Sequence, residues 1–305
     1  MGSGDCPVIW RYCDGKRGHE NQSAGLVQAL AGLSPLVVHD VLLTERSCSA
    51  GDARRPDPTL IIGAGHTTHL AMLRARRMHG GRVIVLMRPS LPRRCFDLCI
   101  VPAHDGLRPR ADTLITRGVL NCVRPATRRT PDAGLMLIGG PSKHHAWDDA
   151  RIVDQIATIA ASRRRLTWRV AASRRTPPSL LPAVVALHLA NLEVVPMNAV
   201  ASDWLASQLA LAGEVWVTGD SVSMIYEALS GGAGVGLIEV PARTRRLSMG
   251  RDRVLAGLDE LIGEKWVTPF AAWDRERALP VPAAPLDEAR RCADWIVEHW
   301  LDRTN

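Results

Sequence analysis

Residues Val215 to Pro241, VWVTGDSVSMIYEALSGGAGVGLIEVP, place an apolar strand, a polar turn, a helix, a glycine pair and a second apolar strand in one unbroken run. Two apolar strands joined by a helix bury themselves best as a parallel pair with helices on the sheet faces, so this stretch constrains the fold before anything else is read. Asp220 or Ser221 stands where a side-chain oxygen would accept the first free N–H groups of the helix. Met224, Ile225, Ala228 and Leu229 share one helix face, and Gly231-Gly232 ends it. A unit of this kind leaves a helix N-terminus and backbone amides at the carboxyl end of the sheet, where α/β proteins hold phosphates.

The same alternation runs through the chain. Pro7 to Tyr12, Leu36 to Leu42, Pro58 to Ile62, Arg82 to Met87 and Phe96 to Val101 read as strands, with helices after the first and the third. Arg124 to Gly134, polar and carrying two prolines, reads as a linker. The pattern then restarts with Leu135 to Ile138, a helix over Asp148 to Ser162, and strands at Leu166 to Ala171 and Leu192 to Pro196. Beyond Pro269 the chain reads as loop until an amphipathic helix from Asp287 to Leu301. The expected architecture is α/β: two Rossmann-like, doubly wound domains facing a cleft. Residues 1–128 form the first and 129–285 the second, with 286–305 a C-terminal helix that can pack back on the first.

Composition narrows the function classes. A net charge of +7 asks for an anionic ligand, an anionic membrane surface or nucleic acid. Scattered basic residues, with only two Phe and two Tyr, argue against nucleic acid. The only lysines are Lys16, Lys143 and Lys265, and the first two fall in glycine-bearing loops. Seven scattered cysteines without a CxxC pair fit a reducing compartment and offer no metal site. No uninterrupted run of about 18 apolar residues occurs, and the N-terminus lacks a secretory pattern. The expectation is a cytoplasmic protein, working at the inner face of the cytoplasmic membrane if it meets lipid.

Each candidate loop follows a strand: Asp14-Gly15-Lys16-Arg17-Gly18-His19, Gly63-Ala64-Gly65-His66, Arg88-Pro89-Ser90, Pro102-Ala103-His104-Asp105, Gly139-Gly140-Pro141-Ser142-Lys143 and Ser173-Arg174-Arg175-Thr176. In a parallel sheet they emerge on one edge. None reads GxGxxG with an acid about 20 residues on, GxxxxGK[ST] or GxSxG.

TGDSVSMIYEALSGGAGVGLIEVP resembles the donor-binding segment of GT-B glycosyltransferases, in particular the peptidoglycan enzyme that moves N-acetylglucosamine onto a lipid-linked muramyl intermediate. There a glutamate on the helix binds the donor ribose and a glycine follows five residues later, a spacing that Glu227 and Gly232 share. LMLIGGPSKHH resembles the glycine-rich loop that opens the second domain of that fold. DGKRGHENQS, GAGHTTH, RPSLPRRCFDL, PAHDG, GGPSKHH, ASRRTPP and TGDSVSMIYEA together resemble the blocks of the mitochondrial-fission (elongated-mitochondria) family over most of positions 14 to 230. The first loop, with Asp14-Gly15-Lys16, lacks the denser glycine run of the peptidoglycan enzyme, so neither its sugar nor its lipid acceptor carries over.

The resemblance implies a metal-independent inverting glycosyltransferase that takes a nucleotide-diphosphate sugar, UDP-linked, as substrate and needs no cofactor. Gly139, Gly140, Ser142, Lys143, Ser173, Arg174, Arg175, Thr218, Gly219, Asp220, Ser221, Ser223 and Glu227 are then the donor and phosphate residues. Amides near Gly139, Gly140 and Ser221, with the basic groups, would neutralise the leaving diphosphate. His19, with Asp14 in the same loop, is the candidate base. Lys16, Gly18, Asn21, Gln22, Gly65, His66, Arg88 and His104 lie on the acceptor side, where the acceptor is unknown. Plainer roles stay open, with His19 capping its helix and Glu227 and the basic loops facing solvent. Two other functions also stay open: a non-catalytic interaction protein of the mitochondrial-fission family on this scaffold, and a sugar-nucleotide epimerase.

Overall fold

The computed structural model describes residues 6–43, 55–126, 128–142, 145–196, 203–241 and 257–302. The chain divides into two compact units, Met1–Cys122 with Asp287–Asn305, and Val123–Leu286.

The first unit runs β1 (Val8–Cys13), α1 (Arg17–Ala31), β2 (Val37–Leu42), β3 (Leu60–Ala64), α2 (His69–His79), β4 (Arg82–Leu86), β5 (Leu98–Pro102) and β6 (Thr113–Thr116). All pairings are parallel, in the order β2-β1-β3-β4-β5-β6. Side chains alternate across the sheet as the strand period requires. Ile9, Leu60, Ile62, Ile84 and Ile100 pack with Leu26 and Leu30 of α1 on one face. Trp10, Ile61, Val83, Val85 and Val101 pack with Met72 and Ala75 of α2 on the other. β6 was not legible in the sequence: it is short, and its buried Thr113 and Thr116 are polar, each hydroxyl finding an acceptor within its own loop.

The second unit runs β7 (Thr130–Ile138), α3 (Asp149–Ser162), β8 (Thr167–Ala172), α4 (Leu180–Val185), β9 (Leu192–Val195), α5 (Trp204–Leu211), β10 (Ala212–Thr218), α6 (Val222–Gly231), β11 (Gly234–Ile238), helical residues 257–263 (α7) and β12 (Val267–Pro269). Its sheet is again parallel, ordered β12-β11-β10-β7-β8-β9. Trp168 and Trp216, both fully buried, lie over Gly134 and Gly236 of the neighbouring strands, where a Cβ would overlap the indole rings. The Asp148 carboxylate caps α3 by accepting from the Ala150 and Arg151 amides.

Two expectations are corrected here, and three elements are added. The linker read over Arg124 to Gly134 gives way to strand at Thr130, because β7 pairs with β10 before it reaches β8. Pro131 is tolerated there: β8 pairing begins at Ala133, so the strand is still an edge on that side. Helices α4 and α5 and strand β12 have no counterpart in the sequence reading. The side-chain cap expected on α6 is not made: Ser221 occupies the cap position without a side-chain hydrogen bond, and Asp220 turns elsewhere.

After the second unit the chain returns to the first as α8 (Glu288–Ile296), continuing as a π-helical turn over Val297–Leu301. Ala289, Cys292, Ala293 and Ile296 join the α1 side of the core, and the Glu288 carboxylate accepts from the Arg117 amide at 3.1 Å. Among the described residues no helix is long and apolar enough to cross a membrane.

Candidate functional site

In an open parallel sheet the ligand crevice lies outside the carboxyl ends of the strands where the strand order reverses. The first unit reverses between β1 and β3, the second between β7 and β10. The candidate loops after β1, β3, β7 and β8 and the turn after β10 lie at these two points, whereas those after β4 and β5 do not.

At the first reversal, Asp14 follows β1 and its side chain is only 2% exposed. Its Oδ2 meets the His19 Nδ1 of α1 at 2.8 Å and accepts from the Thr67 hydroxyl, on the loop after β3, at 2.8 Å. The Lys16 amide donates to Oδ1 at 3.1 Å, and the Lys16 ammonium lies 3.8 Å from Oδ2. Burial pushes the Asp14 carboxyl up, but the hydrogen bonds from His19, Thr67 and Lys16 outweigh it and hold it below its ordinary value. An ionised carboxylate only accepts, so the His19 Nδ1 carries the shared proton, and in the neutral ring Nε2 is the accepting nitrogen. Gly65, at φ +83°, makes this possible, since a Cβ there would overlap the His19 ring. Glu20, which the sequence did not single out, accepts from the Gly15 amide at 3.0 Å and fixes the turn into α1. Thr67 was likewise missed, because its role depends on β3 lying next to β1.

The other residues assigned to this unit separate. Gln22 is buried and donates to the Gly18 carbonyl at 3.2 Å, so it faces its own helix rather than a ligand. Asn21 lies beside Cys122, whose thiol reaches the Asn21 carbonyl. His66 and Arg88 are exposed. Arg88, after Met87 at φ +70°, is folded onto Asp105, its backbone amide donating to the carboxylate at 3.2 Å and its guanidinium to the carbonyl at 3.1 Å. His104 is half-buried and held below its ordinary pKa by burial, with Asp105 opposing.

At the second reversal three loops meet, after β7, β8 and β10. The Gly139 amide donates to the Thr218 hydroxyl at 2.7 Å and the Gly140 amide to Asp220 Oδ2 at 3.1 Å. Both amides are therefore taken within the protein, which corrects their expected role as diphosphate donors. A Cβ on Gly139 would overlap the Asp220 carboxylate, and one on Gly140 the Arg175 carbonyl. Both glycines are required by the closeness of these loops. Ser173 and Thr176 donate to the Gly139 carbonyl at 3.1 and 2.5 Å. Arg175 donates to Asp220 at 2.7 Å and to the Gly140 carbonyl at 2.9 Å. Arg174 is exposed and makes no ion pair among the described residues. Ser142 pairs with the buried His145, its Oγ 3.2 Å from the ring Nδ1. Lys143 lies outside the described residues. Gly219 donates to the Ile238 carbonyl, Ser223 is exposed and Glu227 half-buried on α6.

The first turn of α6 receives no side-chain cap, so its leading amides keep the capacity to donate to a ligand. Arg174 and the 43%-exposed Arg175 stand at the same edge, so its charges and free helix amides are of the kind that favour an anion. The first unit offers a carboxylate-oriented imidazole suited to taking a proton.

A family model described as mitochondrial fission ELM1 matches residues 17–300. Comparison with curated proteins finds no match. Among solved structures, a Listeria monocytogenes protein designated a UDP-N-acetylglucosamine 2-epimerase aligns at 12% identity over 98% of each chain, with a TM-score of 0.53. The UDP-GlcNAc 2-epimerase of Neisseria meningitidis, solved with UDP-GlcNAc bound, aligns at 10% identity over 96% of this chain and 98% of that one, with the same TM-score of 0.53. MurG of Acinetobacter baumannii reaches 0.49 at 9% identity, over 97% and 99% of the two chains. At such identities the likeness is one of fold: two Rossmann-like units in the GT-B manner.

Proposed function

We propose, from the premise that this chain belongs to the mitochondrial fission ELM1 family, that it binds a nucleotide-diphosphate sugar at the β7/β10 edge and transfers the sugar with inversion. The observation that carries this reading is the meeting of three loops, two arginines and an uncapped helix N-terminus at one strand-order reversal. The α6 amides and the two arginines neutralise the leaving diphosphate, so no metal is required. Glu227, on the same helix, holds the ribose hydroxyls. His19, oriented by Asp14, accepts the proton of the attacking hydroxyl through Nε2. UDP is the proposed nucleotide, supported by the UDP-GlcNAc bound in the Neisseria protein of the same fold.

The protein is further proposed to work against an anionic membrane, which would place it at the inner face of the cytoplasmic membrane. The basic, acid-free helix α2 supports this.

The test is turnover of UDP-sugars with EDTA present. Release of UDP, dependent on acceptor, with His19→Ala reducing the rate about 10²–10⁴-fold while UDP affinity holds, is the expected result. Epimer formation from the free sugar nucleotide would replace transfer by epimerisation. No UDP binding and no turnover would leave the chain an interaction protein on this scaffold.

A further inference from the structure

The carboxylate of Asp220 does not touch the outside of the protein. The side chain is wholly excluded from solvent, yet it is ionisable and stands at the strand-order reversal of the second sheet. Oδ2 accepts from the Gly140 amide at 3.1 Å and from Arg175 Nη2 at 2.7 Å. Arg175 in turn donates through Nη1 to the carbonyls of Gly140 and Pro141, at 2.9 and 3.4 Å. One buried carboxylate and one half-exposed guanidinium thus join the loops after β10, β7 and β8. The other carboxylate oxygen, Oδ1, is buried and receives no hydrogen bond among the described residues. A clamp that served stability alone would satisfy both oxygens or use a neutral amide, since an unpaired buried acceptor is costly. An arginine aimed by a buried carboxylate, by contrast, is pre-organised for a bidentate anion, because its fork cannot rotate away.

We infer that Asp220 is a positioning residue of the anion site, acting on the ligand only through Arg175. This rests on the nucleotide reading above and deepens it: the ligand it serves is the diphosphate, and the guanidinium is the group it holds ready. A carboxylate set behind the arginine also disfavours any anion that cannot engage the guanidinium, so Asp220 tunes selectivity toward forked phosphate oxygens over a lone charge.

The experiment is calorimetric titration of the full chain with UDP and with inorganic pyrophosphate, at two salt concentrations. Asp220→Asn keeps an acceptor for the Gly140 amide but removes the charge that holds Arg175. It is expected to weaken UDP and pyrophosphate by roughly tenfold to a hundredfold, the span of a charged hydrogen bond, and to flatten the salt dependence. Arg175→Ala should show a similar loss, and the double variant should be no weaker than Arg175→Ala alone. Arg175→Lys, which keeps the charge but cannot reach Asp220 and two carbonyls at once, should share the loss; it carries the test should Asp220→Asn not fold. Asp220→Asn binding UDP like the wild type, or an Asp220→Asn loss undiminished in the Arg175→Ala background, would overturn the inference while the nucleotide reading stands. Wild-type protein that binds neither UDP nor pyrophosphate at millimolar concentration would overturn both.

Discussion

Gly65 and His19 show how a single missing side chain sets the chemistry of the first unit. With φ at +83° and the imidazole where its Cβ would be, any replacement of Gly65 strains the backbone and displaces the His19 ring. Gly65→Ala is expected to cost about 1–3 kcal/mol by thermal melting and to displace His19 from Asp14, visible as moved His19 ring signals by NMR. His69 carries a different signal. It is buried against Phe96, its Nδ1 lies 3.2 Å from the Ser90 hydroxyl, and its Nε2 has no partner among the described residues. Burial first, and the neighbouring His66 second, hold its pKa below the ordinary value. The unfolded chain then binds the proton more readily than the folded one, so stability is intact above pH of about 6.5 and declines as pH falls toward the folded value. Urea midpoints should therefore drop between pH 7 and 5, and His69→Phe should drop less. A residual slope remains, because His104 is lowered by burial in the same sense.

At the scale of elements, α2 stands out by what its outer face carries. Leu70 and Met78 are 62% and 71% exposed, with the exposed Arg74 and Arg77 between them, and the helix holds no acidic residue. These four positions fall within about 100° of arc at 3.6 residues per turn. The nearby carboxylates Asp97 and Asp57 are engaged with Arg76 and His79, on its flanks. Such a face suits an anionic bilayer, with each arginine near the surface worth about 1 kcal/mol. Sedimentation with vesicles rich in phosphatidylglycerol should bring the protein down, and Arg74→Ala/Arg77→Ala should weaken this by roughly 10- to 30-fold. Leu70→Ser/Met78→Ser should weaken binding even in low salt, where the charges remain. Equal binding to neutral vesicles would remove the electrostatic reading, and no binding at all would leave the face for a protein partner.

At the scale of the whole molecule, the chain passes from the first unit to the second and returns as α8 to complete the core around Leu26 and Leu30. Each unit has its own sheet and core, so calorimetry is expected to resolve two transitions. UDP at 100 times its Kd should stabilise one of them, that of the second unit, by about 2.7 kcal/mol. Deleting residues 287–305 should lower the other, since it strips Cys292, Ala293 and Ile296 from the first core, and leave the UDP-responsive transition in place. A single transition moved by both treatments would show that the units unfold as one.

What the sequence determined by itself is the alternation: apolar runs of strand length, glycine-bearing turns and amphipathic helices are local signals, and they suffice for two parallel α/β sheets with their polar loops on one edge. They also suffice to put Asp14, Arg174, Arg175 and Asp220 just past strand ends and His19 in the first turn of the helix that follows β1. Strand order is not local. That β1 lies beside β3 and β7 beside β10 was decided by packing between segments far apart in the chain, and only this order brings Thr67 to Asp14 and Gly140 to Asp220. The direction of a side chain was decided there too. Asp220 reads from its neighbours as a helix cap, but an arginine from β8 and an amide from β7 compete for its carboxylate and win, because inside the protein an unpaired donor costs more than an uncapped helix end that water or a ligand can still reach.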